Sequence, residues 1–434
     1  MSKLRKAPCM ILIGLICMLV FQPNMMLAES PDQILRPYPN GEEAEIWVLN
    51  GQSNMQGSSR IPPGDHPELS PDPRILMFNL DNTWMPAEEP LHRHYEAVAP
   101  IYRNLYQKTP EEWAKLAEES RKGNAPHFGQ VGPGFFFAKH LSNHIDKPIG
   151  LIPCAFGGLP IERWDPALKD QGGESLYGAM LERIQMVGGN IRGMIWYQGE
   201  SDALDPDKAA VYEEKFLEFV DGLRRDTGIE DLPVIYVQLA RFAIFEGKRE
   251  PVQSLEKVRE AQRRAALERK NLFMVSAIDL PLHDHAHLAY DGQQRLGRRL
   301  VEIALGQVYN KAGHASPIAL ESVEYLTFDL SPNANPSLKQ CLRVRFSGVD
   351  GEFTSPDRPT GFELRHLPDS KQTPPLVYRV ELEPSACLLR LNKPITEPAF
   401  LYYGAGLMPY VNITDDRDIP IPAFGPVEVA STSD

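Results

Sequence analysis

Between residue 45 and about residue 310, short apolar runs alternate with longer stretches whose apolar positions recur every three or four residues. Ile46–Leu49, Pro148–Pro153, Met194–Tyr197, Val234–Leu239 and Leu272–Ile278 read as buried strands. Helical spacing covers Phe135–Ile145, Leu176–Val187, Ala209–Arg225, Val252–Arg269 and Gln293–Val308. Strands of this kind, separated by helices, predict an α/β fold: a doubly wound parallel sheet covered on both faces, with its site at the carboxyl ends of the strands. Residues 60–130 break the alternation. They are polar and proline-rich, with aromatics and His92, His94 and His127, and read mostly as an insertion over one end of the sheet. After Ala315 the period changes to two, as in Cys341–Phe346 and Tyr378–Leu382. This predicts a smaller β-sandwich-like domain over 316–430.

The length of 434 residues suits two domains, and 42% hydrophobic with 24% charged residues is ordinary for a globular chain. A formal charge of −13 argues against a nucleic-acid partner. Residues 1–28 have their own character. Lys3, Arg5 and Lys6 precede the apolar stretch Cys9–Phe21, and Met26-Leu27-Ala28 ends on a small residue. The pattern reads as a secretory signal peptide, with an uncleaved N-terminal anchor as the alternative. Its removal takes the charge to −16 and leaves a secreted or periplasmic protein with no membrane attachment. Cys9 and Cys17 would leave with it. Export permits disulfides, so Cys341 and Cys387 are a possible pair, while Cys154 sits in an apolar strand end and reads as a buried small residue. Asn412-Ile413-Thr414 fits a glycosylation acceptor.

Four segments carry candidate chemistry. Gly51-Gln52-Ser53-Asn54-Met55 presents a serine where the first strand ends, flanked by small and amide-bearing residues. It is not the G-x-S-x-G elbow, and a polar turn is the plain alternative. Ala155-Phe156-Gly157-Gly158-Leu159 follows the second of these strands, where glycines permit close backbone approach. Trp196-Tyr197-Gln198-Gly199-Glu200-Ser201-Asp202 follows the third, with a Gln and a Glu that are unusual in a purely structural turn. Asp284-His285-Ala286-His287 lies between the last strand and the last helix. There an acid three residues ahead of a histidine can accept the imidazole N–H and fix its tautomer. His283, His285 and His287 also alternate as zinc ligands can, although no carboxylate or cysteine cluster accompanies them. His283 and His285 read as solvated loop residues.

Together, GQSNM, the Gly-Gly segment running to Ile161-Glu162-Arg163-Trp164, WYQGESD, and D-x-x-H followed by G-Q-x-x-L-G-R-R resemble the SGNH-type sialate O-acetylesterase family. The acetylxylan esterases of carbohydrate esterase family six are close relatives. The motifs spread over residues 45–310 in the family's order. The stretch from Leu401-Tyr402-Tyr403-Gly404 to Ala423-Phe424 more loosely resembles a β domain that often follows the catalytic one. The resemblance implies an SGNH/flavodoxin-like three-layer sandwich over 45–312. It also implies a secreted serine esterase that removes O-acetyl groups from carbohydrates without metal or organic cofactor.

Placed on this chain, the resemblance makes Ser53 the nucleophile, His287 the base and then acid, and Asp284 its orienter. The oxyanion hole would use the Ser53 N–H, an N–H of Gly157 or Gly158, and the Gln198 side chain. Gln198 stands where many SGNH enzymes carry Asn, and Leu159 departs from the small polar residue often found after Gly-Gly. Glu200 reads as a buried structural acid. Gln52, Asn54, Trp84, His94 and Tyr95 are candidate substrate contacts. The partner is an acetylated carbohydrate: sialic acid, acetylated xylan and other acetylated sugars all remain open. A non-catalytic carbohydrate-binding protein is the alternative of another class.

Overall fold

The structure, a computed structural model of the chain, describes residues 35–121, 130–243, 250–327, 340–366 and 373–429. The signal-like segment 1–28 and His127 lie outside the described residues. From Leu35 onward the chain forms one compact unit.

Its main sheet has strands β1 (Glu45–Gly51), β2 (Ile75–Phe78), β3 (Trp84–Pro86), β4 (Ile149–Pro153), β5 (Gly193–Tyr197), β6 (Val234–Gln238) and β7 (Leu272–Ser276). They lie in the order β3-β2-β4-β1-β5-β6-β7. All pairings are parallel except β2 with β3. Helices α1 (Ser53–Gln56), α2 (Pro100–Asn104), α3 (Pro110–Arg121), α4 (Pro133–Leu141), α5 (Leu176–Met186), α6 (Pro206–Thr227), α7 (Glu250–Glu268) and α8 (Tyr290–Ile303) accompany it. β4, β5 and β6 are buried at every position, as expected for strands covered on both faces. Local signals delimit the longest helix. Asp205 accepts the N–H groups of Asp207 and Lys208, Pro206 fits the first turn, and Gly228 (φ +71°) ends it in the left-handed region.

The five strands and five helices read from periodicity all form, with ends shifted by a few residues. The segment 60–130 differs from expectation. It is more than a cover, because Ile75–Phe78 and Trp84–Pro86 extend the main sheet at one edge. Chain direction explains the site's place. β1 has β4 and β5 as neighbours, so the loops after these three strands open side by side where the connections reverse.

The C-terminal region forms two antiparallel sheets. Strands β8 (Ala319–Thr327), β9 (Gln340–Ser347), β11 (Val377–Glu383) and β12 (Ala386–Leu391) make one in the order β11-β12-β9-β8. β10 (Phe362–His366), β13 (Ala399–Tyr403) and β14 (Phe424–Val429) make the other in the order β10-β13-β14. A polar seam joins this region to the α/β layers. Gln238 at the end of β6 exchanges two hydrogen bonds with the Ala423 backbone. Buried Arg259 of α7 donates to the carbonyls of Leu239, Ala240, Gly404 and Gly406.

Two sequence expectations meet the register here. Cys341 lies opposite Arg390 and Cys387 opposite Val344, so the thiols sit three residues apart along paired strands, roughly 10 Å. That exceeds disulfide reach, and Cys154, Cys341 and Cys387 are all free and buried. Asn412 is buried too. Its side chain accepts the Thr360 N–H and donates to the Arg358 carbonyl, so the folded chain does not present it as a glycan acceptor.

Candidate active site

Ser53 opens α1 directly after β1. The turn needs glycine at residue 51 (φ +131°), because a Cβ there would stand 2.1 Å from the Tyr197 carbonyl oxygen. The Ser53 Oγ lies 2.9 Å from His287 Nε2. Asp284 accepts from His287 Nδ1 at 2.8 Å, and its other oxygen accepts the backbone N–H groups of Ala286 and His287, each at 2.8 Å. A carboxylate is acceptor-only, so Nδ1 carries the proton and Nε2 offers its lone pair to the Ser53 hydroxyl. Burial alone would raise the Asp284 carboxyl. The hydrogen bonds from the His287 ring and the two backbone N–H groups outweigh it and hold the group at about 2. The His287 side chain is 24% exposed, so its contact with Ser53 can be reached from solvent.

The loop 281–288 holds itself as a tight turn. His283 N–H donates to the His287 carbonyl, Ala289 N–H donates to the Pro281 carbonyl, and Leu282 bridges Leu288. Its tip is strapped from outside. The Ala243 N–H donates to the His285 carbonyl at 2.7 Å, and the neighbouring Phe242 N–H donates to Leu407 of the C-terminal region at 2.9 Å.

The expected oxyanion donors are partly rearranged. The Gly157 N–H is taken by Gln56 Oε1 at 2.8 Å. The Gln198 amide nitrogen donates to the Leu159 carbonyl and to Asp202, its oxygen accepts from Tyr212, and the residue is fully buried. Gln198 therefore fastens the Gly-Gly loop and has no N–H left for substrate. Among the described residues, neither the Ser53 N–H nor the Gly158 N–H donates to a protein acceptor. Gly157 still matters sterically, since its Cβ would lie 3.2 Å from the Ser53 Cβ. Gly158 has φ +74° and open space around it.

The predicted substrate contacts separate in the same way. Gln52 is buried, and its oxygen accepts the N–H groups of Gly199 and Ser201. Asn54 is buried between Glu200 and the His287 loop. Both brace loops instead of facing solvent. Trp84 is on the edge strand β3, packed on Tyr38 and Phe78 with its indole N–H on the Arg36 carbonyl, which makes it a packing residue. His94 is enclosed. One ring nitrogen meets the Ala155 carbonyl and the other the Tyr106 hydroxyl, both at 2.9 Å, and the ring stacks on Tyr102 and Phe156. Burial pushes it down to about 4, so it is neutral and supports the loop that leads to Gly157. Tyr95 lines a cleft of about 770 Å³ with Arg103, Lys108 and Trp113. Trp113 packs on Tyr106, which packs on Phe156, so two rings stand between this cleft and the Gly157 loop.

Gln56 was missed from sequence. It follows the serine by three residues, the spacing that shares a helix face, but α1 is only one turn long and leaves no periodic signal. Burial, set against the hydrogen bond from Asn54, raises Glu200 to about 6. Among the described residues, no group of three His, Cys, Asp or Glu side chains is arranged to hold a metal ion, and no helix is long and apolar enough to cross a membrane.

A serine hydroxyl on an imidazole that is itself held by a carboxylate, at the carboxyl edge of an α/β sheet, is suited to acyl transfer. Comparison with known proteins agrees. Residues 43–306 match the family described as "Carbohydrate esterase, sialic acid-specific acetylesterase", and the chain belongs to that family. It is accordingly a carboxylic ester hydrolase of the carbohydrate acetylesterases. A "Probable carbohydrate esterase" of Arabidopsis thaliana is 31% identical over 295 residues, covering 64% of this chain and 95% of that protein. Human sialate O-acetylesterase is 25% identical over 186 residues, which span 36% of this chain and 31% of the human one. A carbohydrate acetylesterase from Xanthomonas citri shares the fold at a TM-score of 0.63 and 21% identity, covering 88% of this chain and 80% of that one.

Proposed function

We propose that the chain removes O-acetyl groups from a sugar through an acetyl-serine intermediate, with Ser53, His287 and Asp284 as its reacting groups. The unbroken hydrogen-bond line from Asp284 through His287 to Ser53 carries this reading. The Ser53 oxygen attacks the acetyl carbonyl carbon as His287 Nε2 takes the hydroxyl proton. The developing oxyanion is met by the N–H groups of Ser53 and Gly158, each worth on the order of 3 kcal/mol in comparable oxyanion holes. Collapse breaks the bond to the sugar oxygen, which leaves as an alcohol with the proton from His287. Water, deprotonated by the same nitrogen, then attacks the acetyl-serine. Acetate departs and Ser53 recovers its proton. Asp284 stays ionised and keeps the imidazole oriented throughout.

Export is part of the proposal. It rests on the residue pattern of 1–28, and N-terminal sequencing of the protein recovered outside the cytoplasm tests it.

The chemistry is tested by acetate release from 9-O-acetyl sialic acid, acetylated xylan and an aryl acetate, comparing the wild type with Ser53→Ala. The expected result is release from at least one sugar ester, lost by about a million-fold in the variant. Turnover retained by folded Ser53→Ala refutes the serine mechanism. No release from any of the three by wild type favours a carbohydrate-binding role.

A further inference from the structure

Ser53 and Asn54 leave the same short helix toward the same loop. The Ser53 hydroxyl meets the His287 ring, while the Asn54 amide meets the His287 backbone. Asn54 Nδ2 donates to the Ala286 carbonyl at 3.1 Å, and Asn54 Oδ1 accepts the Leu288 N–H at 3.0 Å. These groups belong to the two peptide units on either side of His287. The side chain next to the serine therefore brackets the histidine that the serine must reach.

The bracket has one productive orientation. Asn54 Nδ2 also donates to Glu200 Oε1 at 2.7 Å. Turning the amide over would set its NH2 against the Leu288 N–H, and its oxygen against the Ala286 carbonyl and the Glu200 carboxylate. All three contacts would then be repulsive. Glu200 is itself placed by the turn after β5, which Gln52 holds by accepting the N–H groups of Gly199 and Ser201 at 3.4 and 3.3 Å. The two neighbours of Ser53 thus tie together the loops after β1, β5 and β7. Gln293 adds a bond from α8 to the Asn54 carbonyl at 3.2 Å.

We propose that Asn54, oriented by Glu200, is a positioning residue that sets His287 at reacting distance from Ser53. The inference rests on the reading of Ser53 and His287 as the reacting pair. A lone Ser–His hydrogen bond joins loops more than two hundred residues apart in sequence and does not by itself hold two backbones in register. Asn54 converts that contact into a brace, since moving His287 away from Ser53 breaks its backbone bonds as well. Small displacements matter here, because an error of about 1 Å in a reacting geometry costs on the order of 100-fold in rate.

The test uses the whole chain with an aryl acetate as substrate, and measures the rate at which a fluorophosphonate labels Ser53. Asn54→Ala is expected to lower kcat by about 100-fold with KM changed less than about threefold, and to slow labelling in proportion. Glu200→Ala is expected to lower kcat by roughly tenfold. Glu200→Gln keeps an acceptor oxygen for Asn54 and recovers most of that loss, whereas Glu200→Met, of similar size but without the acceptor, does not; a purely packing role would have both recover. Cooperative unfolding is followed for each variant. If Asn54→Ala does not fold, the Glu200 pair still decides, because Glu200→Gln preserves shape.

The proposal is overturned if folded Asn54→Ala or Glu200→Ala turns over within about twofold of wild type. It is equally overturned if the loss lies in KM alone, or if Glu200→Gln is no better than Glu200→Ala. Ser53→Ala separates the two readings. Activity surviving in that variant removes the Ser–His reading itself. A dead Ser53→Ala beside a fully active Asn54→Ala removes only the brace.

Discussion

Arg299 offers the sharpest test of how the C-terminal region supports the loop that carries His287. Its side chain is fully buried and lies between two carboxylates from different parts of the chain. Asp279, just ahead of the loop 281–288, is 6% exposed and takes both terminal nitrogens at 2.7 Å. Asp418, from the C-terminal region, is 37% exposed and takes two longer bonds at 3.2 and 3.3 Å. Arg295 bridges the same two acids.

The two truncations should therefore differ. Asp279→Ala leaves a buried guanidinium with only its long bonds, and should cost about 3–5 kcal/mol. Asp418→Ala leaves the short fork intact and removes a pair open to solvent, so about 1 kcal/mol is expected. Urea denaturation of both variants against wild type measures the difference, with turnover of an aryl acetate read alongside. Asp279→Ala should also lower kcat, because the loop that carries Asp284 and His287 starts two residues later. Equal losses of stability from the two variants would refute this account. So would an unchanged midpoint in Asp279→Ala.

Two further outcomes follow from the geometry. Gly51→Ala should fail to fold or lose about 3 kcal/mol or more, since the new Cβ would meet backbone that cannot move aside. Gly158→Ala should cost only about 1–2 kcal/mol, from its positive φ in open space; thermal unfolding of both checks the contrast. His92 and His94 should make the fold acid-sensitive. Burial pushes them down to about 3 and about 4, below the ordinary value near 6.5 that they regain on unfolding. The unfolded chain then binds more protons, so stability is complete above about pH 6.5 and falls between there and pH 4, by roughly 3 kcal/mol for His94 alone. Urea midpoints at pH 7, 5 and 4 measure the slope, and a flat series contradicts it.

Much of the architecture was legible because its causes are local. Apolar runs such as Val234–Leu239 must be buried on both faces, and a capped amphipathic stretch such as Pro206–Thr227 has little choice but helix. The edge strands were not legible. Ile75–Phe78 is four residues long inside a polar, proline-rich segment, and its partner Trp84–Pro86 is shorter still. Trp84 reads as a sugar contact from sequence because an aromatic in a polar segment carries no sign of which face it will cover. The same holds for His94, which the fold encloses.

By itself the sequence determined which chemical groups exist and in what order they appear: a serine after the first strand, glycines after another, a histidine and its acid before the last helix. Only the tertiary structure decided which of those groups are free to act. The Gly157 N–H, the Gln198 amide and the Asn54 amide all have suitable donors, yet each is already engaged by Gln56, by Leu159 with Asp202, or by Ala286 with Glu200. The physical reason is the reach of a hydrogen bond. Its partners must stand within about 3 Å, and those found here come from residues 4 to 232 positions away along the chain. No local pattern encodes that pairing. It appears only when the sheet brings the carboxyl ends of its strands together.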